Sequence, residues 1–347
     1  MQVLVTGNQG YIGSVLVPLL QVYGDVVVGL DSGYFKECLL SPVKEDLKQL
    51  TKDIRDVVPT DLDGIDAIIH LAGLSNDPLG ELSPRLTDEI NFRATVKLAE
   101  IAREAGVKRF VYASTQSIYG VSNTSDELDE ENSDKNPVTA YARTKWEAEL
   151  QLKKLITDDF VVVCFRPSTV FGASPRLRCD IVFNNFVACA YTTGRIEIKS
   201  DGSPWRPVVH VQDVCAAFVA GLRAPSSLVN GRSYNVGIPN GNFTVRDLAE
   251  AAQRSVRGSS LVFTGEHGKD SRTYRVSFQR ILTELSDYYK PTWNLDRGGQ
   301  ELVEMFAKTN FSEEHFRGRQ TIRLAKLREL LDEHKLDDKL RWKYQRK

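Results

Sequence analysis

Two short segments of the chain carry hydroxyl and amine side chains whose spacing suits acid–base chemistry on an alcohol. In "ASTQSIYG", Thr115 and Ser117 follow the end of an apolar run, and the segment contains no carboxylate. In "YARTK", Tyr141 and Lys145 are four residues apart, so a helix would place them on one face. A free phenol has a pKa of about 10, and a nearby ammonium favours its ionised form, which would bring Tyr141 towards neutral pH as a general base. Many helices carry YxxxK by chance, so this interpretation depends on the elements around it.

The composition is ordinary for a soluble globular protein. The chain has 347 residues, of which 41% are hydrophobic and 26% charged, and a formal net charge of -1. This balance gives no reason to expect nucleic acid or a membrane as partner. The cysteines form no CxxC pair and the histidines have no ligand spacing, which indicates reduced thiols and no metal site. No signal-peptide pattern or membrane-spanning apolar run is present, so we expect a cytoplasmic protein.

Short β-branched runs alternate with helical patterns through the first half of the chain. The expected strands are 2–6, 26–30, 66–72, 109–114 and 160–165, and the expected helices are 11–24, 84–106 and 139–156. Near-continuous apolar strands of this kind are buried on both faces of a parallel sheet. Their alternation with helices is typical of βαβ units. The sequence therefore predicts an α/β fold with a doubly wound parallel sheet.

The pattern loosens in the second half of the chain. We expect a dinucleotide-binding domain over 1–170, with segments at about 205–240 returning to it, among them a strand at 232–237. Residues 171–347 would form a smaller, interleaved α+β lobe that ends in a helical C-terminal tail. Acidic residues are mixed with the basic ones in this tail, which favours a solvated face over a partner-binding surface.

The first predicted strand ends in a glycine-rich turn, "VTGNQGYIG". Gly7, Gly10 and Gly13 have the spacing GxxGxxG. Small residues there let the backbone turn sharply and approach a pyrophosphate, whose charge the amides of a helix N-terminus can meet. The alternative is a tight turn that binds nothing. Asp31, at the end of the second strand, favours the dinucleotide because a carboxylate there accepts hydrogen bonds from an adenosine ribose and repels a 2′-phosphate. NAD is therefore preferred to NADP.

Two further segments fit a dinucleotide. Asp53 and Ile54 in "KDIRD" are placed to meet an adenine edge, although Asp53 could equally be a helix cap. The segment "IIHLAG" brings small residues to the end of the third strand, where they leave room for the cofactor. The predicted cofactor-binding residues are Gly7, Gly10, Tyr11, Ile12, Gly13, Asp31, Asp53, Ile54, Leu71, Ala72, Gly73, Tyr141 and Lys145.

These motifs resemble, in order and spacing, those of the extended short-chain dehydrogenase/reductases. The segments are "TGNQGYIG", Asp31, "HLAG", "ASTQSIYG", "YARTK" and "RPSTVFG". That family contains nucleotide-sugar epimerases, dehydratases and decarboxylases. The resemblance implies a Rossmann-type domain, a sugar-nucleotide lobe and, in the epimerases, tightly held NAD. It also implies a homodimer formed by the helices at 84–105 and 141–156.

The resemblance assigns roles at the reacting centre by position. Tyr141 would be the general base, with Lys145 as its electrostatic partner and a ligand of the cofactor ribose. Thr115 would be the hydroxyl that bonds the sugar 4-oxygen. Thr169 stands where many members of the family have a substrate-binding asparagine.

The resemblance also assigns the residues that would hold the diphosphate of a nucleotide sugar. Arg206 in "SPWRPVVHVQD" and Arg272 in "DSRTYRV" would grip it, because guanidinium groups suit phosphate oxygens. Arg275 is a rival for Arg272 within the same short segment. Asn184 or Asn185 would meet the diphosphate or the base.

The residues after Thr115 distinguish between the reactions of the family. In its dehydratases and decarboxylases a glutamate stands two residues after the catalytic hydroxyl, sometimes with an aspartate before it. Here those positions are Gln116 and Ser117, neither of which exchanges a proton near pH 7. A small hydroxyl at Ser117 resembles the 4-epimerases. We therefore expect NAD-dependent epimerisation of a nucleotide-diphosphate sugar, at C4 through a transient 4-keto sugar.

Other reactions remain open alternatives. A nucleotide 4-ketosugar reductase that uses NADH would employ the same Thr–Tyr–Lys group once and release the oxidised cofactor. A 4,6-dehydratase is disfavoured by Gln116 and Ser117. A non-catalytic NAD-binding regulator is disfavoured because both Tyr141 and Lys145 are present.

Overall fold

The structure is a computed structural model that describes residues 1–43, 46–122, 126–264 and 273–343. The strands are β1 (Gln2–Thr6), β2 (Val26–Asp31), β3 (Lys48–Thr51), β4 (Ala67–His70), β5 (Arg109–Ala113), β6 (Val161–Pro167), β7 (Thr169–Phe171), β8 (Arg195–Ile198), β9 (Trp205–His210), β10 (Ser233–Val236), β11 (Asn242–Thr244) and β12 (Ser260–Phe263). The helices are α1 (Gly13–Val22), α2 (Asp77–Gly80), α3 (Pro84–Thr87), α4 (Ala94–Glu104), α5 (Ala140–Lys154), α6 (Val182–Thr193), α7 (Val211–Arg223), α8 (Ser226–Val229), α9 (Val245–Ser255), α10 (Gln279–Glu284), α11 (Leu295–Lys308), α12 (Glu313–Arg317) and α13 (Arg323–Asp332). Within this described part of the chain, no helix is both long and apolar enough to cross a bilayer.

A seven-stranded parallel sheet forms the centre of the molecule. Its strand order is β10-β6-β5-β4-β1-β2-β3, and each neighbouring pair is parallel. After β1, the strands β2 and β3 extend the sheet to one edge. The chain then crosses back, and β4, β5, β6 and β10 extend the sheet on the other side of β1. Apolar residues of α1 and α7 cover one face of the sheet, and those of α4 and α5 cover the other. This topology confirms the predicted doubly wound α/β fold.

One edge of this sheet is β3, a strand that the sequence pattern does not predict. β3 pairs with β2 in the register Val28 to Lys48, and its residues are half-buried or exposed. An edge strand has a partner on one side alone, so it tolerates polar residues such as Lys48 and Gln49. Its sequence therefore lacks the apolar run that reveals the buried strands.

The helix predicted over 84–106 is interrupted by a π-helical turn. This turn spans Asp88–Arg93, between α3 and α4. It directs the buried Asn91 towards the loop after β4, where its side chain accepts a hydrogen bond from Leu74 N (2.8 Å) and donates one to Leu74 O (3.0 Å). A π turn frequently occurs near a functional site, and the 3.6-residue periodicity of the sequence does not reveal it. Here it fixes a loop that borders the cleft described below.

Two small sheets and three helices pack together in the second half of the chain. β7, β9 and β11 form a three-stranded sheet, and β8 pairs with β12. With α6, α9 and α11 they enclose an apolar core that includes Phe171, Phe183 and Phe306. β10 lies inside the predicted strand 232–237 and joins the main sheet beside β6. The division at residue 170 into a cofactor domain and an interleaved lobe stays a prediction, as does the homodimer.

The C-terminal tail differs from the solvated face that its charges indicated. Leu327, Leu330, Leu336 and Leu340 are at most 2% exposed. They belong to the apolar cluster that covers the sheet face formed by β1, β2 and β5. The tail therefore packs against the predicted cofactor domain, and the leucines between the charges are what anchor it.

Candidate active site

A cleft of about 520 Å³ opens at the carboxyl ends of the parallel strands. The ends of β1, β2, β4, β5 and β6 all contribute residues to its lining. It lies where the strand order reverses between β1 and β4, which is the position at which open α/β sheets bind ligands. The cleft lining includes every residue that the sequence assigned to the cofactor.

The glycine-rich turn leaves room for a pyrophosphate beside α1. Gly7 has φ +73°, and a Cβ on it would lie 2.8 Å from the backbone nitrogen of Ala72. A Cβ on Gly13 would lie 2.4 Å from the carbonyl oxygen of Gly7. Any side chain at these two positions would push the turn away from β4 and from α1. The N-cap of α1 makes no side-chain hydrogen bond, and Ser14 N and Val15 N already donate to Gly10 O and Ile12 O. The amides of Ile12 and Gly13 are therefore the ones that can meet an anion.

Asp31 is held in place for hydrogen bonds to a ribose. Its carboxylate accepts hydrogen bonds from Gln9 N (3.1 Å) and Gly33 N (2.8 Å). Burial raises the pKa of Asp31, and these two amides oppose the rise. A carboxylate fixed in this way has lone pairs left for the two ribose hydroxyls, and its charge repels a 2′-phosphate. The residues therefore fit NAD.

Of the two roles that the sequence left open for Asp53, the structure shows the helix cap. Its side chain caps a short 3₁₀ turn by accepting a hydrogen bond from Arg55 N at 2.9 Å. The same carboxylate pairs with the Arg55 guanidinium at 2.7 Å and with Arg341 at 3.2 Å. Asp53 and Ile54 both line the cleft. Asp53 therefore stabilises the local backbone at the edge of the cleft, and its contact with adenine stays a prediction.

Thr115, Ser117 and Tyr141 come together at the other end of the cleft. The Thr115 side chain caps a 3₁₀ turn by accepting a hydrogen bond from Ser117 N at 3.1 Å, and its Oγ1 donates to Ser117 Oγ at 3.2 Å. The Thr115 hydroxyl also lies near the Tyr141 phenol and lowers its pKa. The N-cap Thr139 begins α5 and thereby sets the position of Tyr141. The three hydroxyl groups of this cluster can bind and deprotonate an alcohol.

Lys145 lies one turn after Tyr141 on α5 and is almost completely buried. Its ammonium donates a hydrogen bond to the carbonyl oxygen of Ala113 at 2.8 Å and lies 4.8 Å from the ring centre of Tyr112. Burial lowers the pKa of Lys145 to about 8, although the nearby Glu149 opposes the shift. The Lys145 side chain therefore remains mostly protonated at pH 7, although its pKa lies only a little above that pH.

The pKa of Tyr141 does not follow the expectation that Lys145 would lower it. Burial raises the pKa of Tyr141 to about 12, and Asp77 adds to the rise. The Thr115 hydroxyl and the charge of Arg178 act in the opposite direction, whereas Lys145 does not lower the pKa of Tyr141. Desolvation of the phenolate outweighs the nearby cations. The groups of the protein by themselves therefore keep Tyr141 protonated near neutral pH. For the phenol to ionise there, further positive charge has to enter the cleft.

The side chains of Gln116 and Ser117 lie in different environments, the first in the protein interior and the second in the cleft. The buried Gln116 donates hydrogen bonds to Arg166 O (3.0 Å) and Val236 O (3.3 Å) and accepts one from Ser168. Gln116 is thus part of the protein interior, whereas Ser117 lines the cleft. Of the two positions that carry acids in the dehydratases, Ser117 is the one that faces the reacting group.

The residues assigned to the sugar nucleotide are only partly brought together. Thr169 and Arg206 line the cleft, and Arg206 donates a hydrogen bond to the carbonyl oxygen of Trp205 at 2.9 Å. Arg272 lies outside the described residues. Its rival Arg275 pairs with Glu127 at 2.9 Å and does not line the cleft.

The two candidate asparagines are structural. Asn184 accepts a hydrogen bond from Gly172 N at 2.9 Å and donates to Arg178 O at 2.9 Å, and its side chain is completely buried. Asn185 donates to Cys179 O at 2.9 Å. Neither residue lines the cleft. Their assignment to the diphosphate or the base stays a prediction, and in this structure their amides hold the turns that precede α6.

A polar cluster next to Tyr141 was not predicted from the sequence. Arg178 forms two hydrogen bonds with Asp180, at 2.9 and 3.1 Å, and Asn76 donates to the same carboxylate at 3.0 Å. Asp77, which accepts a hydrogen bond from Thr139, borders this group. Charged residues in the otherwise apolar segment "RLRCDIVF" were the one available signal.

The fold and the cleft together define a dinucleotide-dependent enzyme of the extended short-chain dehydrogenase/reductase type, and comparison with known proteins identifies the family. Residues 3–237 match the NAD dependent epimerase/dehydratase family. The UDP-glucose 4-epimerase of Mycolicibacterium smegmatis is 34% identical over 68% of this chain and 77% of its own length. The dTDP-D-glucose 4,6-dehydratase of Mus musculus is 31% identical over 88% of this chain and 89% of its own length. The chain belongs to this family, and NAD is its cofactor.

The solved structures agree on the fold. The UDP-glucose 4-epimerase of Thermotoga maritima superposes with a TM-score of 0.77 at 23% identity, over 89% of this chain and 100% of that chain. At this identity the likeness concerns the fold. The resemblance inferred from the motifs is confirmed at the level of the family.

Proposed function

We propose that this protein epimerises a nucleotide-diphosphate sugar at C4 through a transient 4-keto sugar. The observation that carries the proposal is Ser117, a hydroxyl that faces the cleft beside Thr115 and Tyr141 where dehydratases have an acid. Its neighbour Gln116 is turned into the interior. The 34% identity to a UDP-glucose 4-epimerase supports the same conclusion.

The two carboxylates in this part of the cleft do not replace the missing acid. Asp180 lies against Arg178, whose charge and hydrogen bonds lower its pKa despite burial, so Asp180 stays ionised near neutral pH. Asp77 accepts a hydrogen bond from the Thr139 hydroxyl at 2.6 Å, at the start of α5. Both carboxylates therefore position other groups, and in the part of the cleft that the structure describes neither is left as a free carboxylic acid to assist the elimination of water.

The reacting hydroxyls act on the sugar 4-oxygen. Bound NAD, held by the residues that line the cleft, would supply the reversible hydride transfer that interconverts the sugar 4-hydroxyl and the 4-keto group. Thr115 orients the 4-hydroxyl by a hydrogen bond, and Tyr141 removes its proton and later gives it back. The Lys145 ammonium is protonated at pH 7 but is not among the groups that lower the pKa of Tyr141, so the positive charge of bound NAD would have to help the phenol to ionise. Arg206 holds the diphosphate while the sugar turns to present its other face.

A product analysis tests the proposal. We expect that incubation with UDP- and dTDP-sugars gives an isomer of equal mass, without added cofactor, and that deuterium at C4 is retained. Retention follows because the hydride leaves and returns within one bound complex. Loss of water would instead indicate a dehydratase, loss of carbon dioxide a decarboxylase, and stoichiometric consumption of NADH a ketosugar reductase.

Arg206 offers a second test, which concerns the diphosphate. We expect Arg206→Met to raise the Kd of UDP at least about tenfold, because a charge-assisted hydrogen bond to phosphate is lost. Arg195 is exposed and provides the matched control in Arg195→Met. Isothermal titration calorimetry measures both variants. An unchanged Kd for Arg206→Met would remove Arg206 from the substrate site.

A further inference from the structure

Arg323, the first residue of α13, is a buried cation that lines the cleft. Its side chain is 2% exposed. The guanidinium donates hydrogen bonds to Gln320 O (3.0 Å) and Arg176 O (2.6 Å), and it lies 5.3 Å from the ring centre of Phe35. All of these partners are carbonyl oxygens or a ring face. Within the described residues, no carboxylate lies at ion-pair distance from Arg323.

The surroundings of Arg323 disfavour its positive charge, so that a bound anion would stabilise the side chain. Burial lowers the pKa of Arg323 to about 10, and the neighbouring cations Arg178 and Arg176 add to the shift. Asp180 acts in the opposite direction, but its two oxygens are already hydrogen-bonded to Arg178. A desolvated guanidinium that makes no ion pair is costly to keep, and a phosphate would relieve that cost.

The position of Arg323 matches the middle of a dinucleotide. Its neighbour Phe35 follows Asp31 at the ribose end of the cleft, and its neighbour Arg178 lies towards Tyr141 at the reacting end. Between these ends the cleft is lined by the glycine-rich turn, where a helix N-terminus faces a pyrophosphate.

We propose that the C-terminal tail is part of the cofactor site and that Arg323 binds the pyrophosphate of NAD. Other tail residues hold the adenosine end of the cleft. Trp342 donates a hydrogen bond to Ser32 O at 2.6 Å, and Arg341 pairs with Asp53 at 3.2 Å. The tail therefore contacts the loops that follow β2 and β3, and it places the cation Arg323 in the cleft beside them. This inference depends on NAD as the cofactor and is independent of the reaction at C4.

Binding measurements on protein freed of nucleotide test the role of Arg323. We expect Arg323→Met to raise the Kd of NAD and of ADP-ribose by about ten- to a hundredfold, because a charged hydrogen bond to phosphate is lost. The Kd of adenosine, which has no phosphate, should stay within about twofold. Arg323→Lys should recover part of the affinity, since it keeps the charge but not the planar fork. Arg328→Met, at an exposed position of the same helix, is the control and should bind NAD normally.

Thermal unfolding separates this role from a structural one. Without nucleotide, Arg323→Met should melt at or above the temperature of the unaltered protein, because an apolar side chain replaces an unpaired buried charge. It should also gain less stability on addition of NAD. An unchanged NAD Kd in Arg323→Met, or in Arg323→Lys if the first variant does not fold, would overturn the proposal. Weakened binding of UDP with normal binding of NAD would also overturn it, since the anion would then be the substrate diphosphate.

Discussion

Tyr141→Phe is expected to lower kcat by about 10²–10⁴-fold, which is the range for loss of a general acid–base group. The substitution removes one oxygen atom, the phenol oxygen whose pKa the nearby Thr115 lowers. The Cβ and backbone of Tyr141, which pack closely on Gly80 of α2, are unchanged by the substitution. Binding of NAD and of the nucleotide sugar should therefore change little. Steady-state kinetics and calorimetric titration of the same preparations measure the two effects separately.

The control for this substitution is Tyr288→Phe, because the Tyr288 side chain is 39% exposed and lies outside the cleft. It should leave kcat unaltered. Normal turnover by Tyr141→Phe would refute the assignment of the base. A variant that loses NAD binding together with turnover would show that Tyr141 holds the cofactor rather than the proton.

Glu149→Leu is expected to reduce the free energy of unfolding by about 3–5 kcal/mol, the cost of leaving a buried charge without its partner. Glu149 lies on α5, one turn after Lys145, and is 0% exposed. It accepts hydrogen bonds from Arg166 Nε (3.0 Å) and Nη2 (2.7 Å), and the Arg166 side chain is 1% exposed. Urea unfolding measures the loss. The ion pair between Glu149 and Arg166 holds α5, the helix that carries Tyr141 and Lys145, against β6.

Two further variants show whether the uncompensated charge is the cause. Glu147→Leu, at a more accessible position of the same helix, should change the free energy of unfolding by no more than about 0.5 kcal/mol. The double variant Glu149→Leu/Arg166→Met should recover most of the loss, because both charges are removed together. A loss below about 1 kcal/mol in Glu149→Leu, the scale of an exposed pair, would mean that water solvates Arg166 after all.

The same pair makes stability dependent on acidity. Burial alone would raise the pKa of Glu149, but the charge and hydrogen bonds of Arg166 lower it below its ordinary value. A carboxyl whose pKa is lower in the folded state contributes stability above its unfolded pKa and loses that contribution as the pH falls through the folded one. The stability difference between the unaltered protein and Glu149→Gln should therefore be largest at neutral pH and shrink in acid.

The elements that the sequence predicted well share a local signal. The buried strands appeared as apolar runs, and the glycine spacing together with Asp31 was enough to indicate the dinucleotide site. Tyr141 and Lys145 could be paired because both lie on one helix. In contrast, β3 carries polar residues at a sheet edge, and the π turn around Asn91 leaves no periodic trace.

The sequence by itself determined the succession of buried strands and helices, the glycine turn with Asp31, and the hydroxyl and amine groups of the reacting centre. Each of these depends on residues that are near one another in the chain or at the ends of recognisable strands. Only the tertiary structure decided that Asn184 is structural, that Arg178 and Arg323 meet in the cleft, and that burial raises the pKa of Tyr141. The reason is physical: desolvation and charge proximity depend on groups that distant parts of the chain bring together, and no spacing rule encodes them.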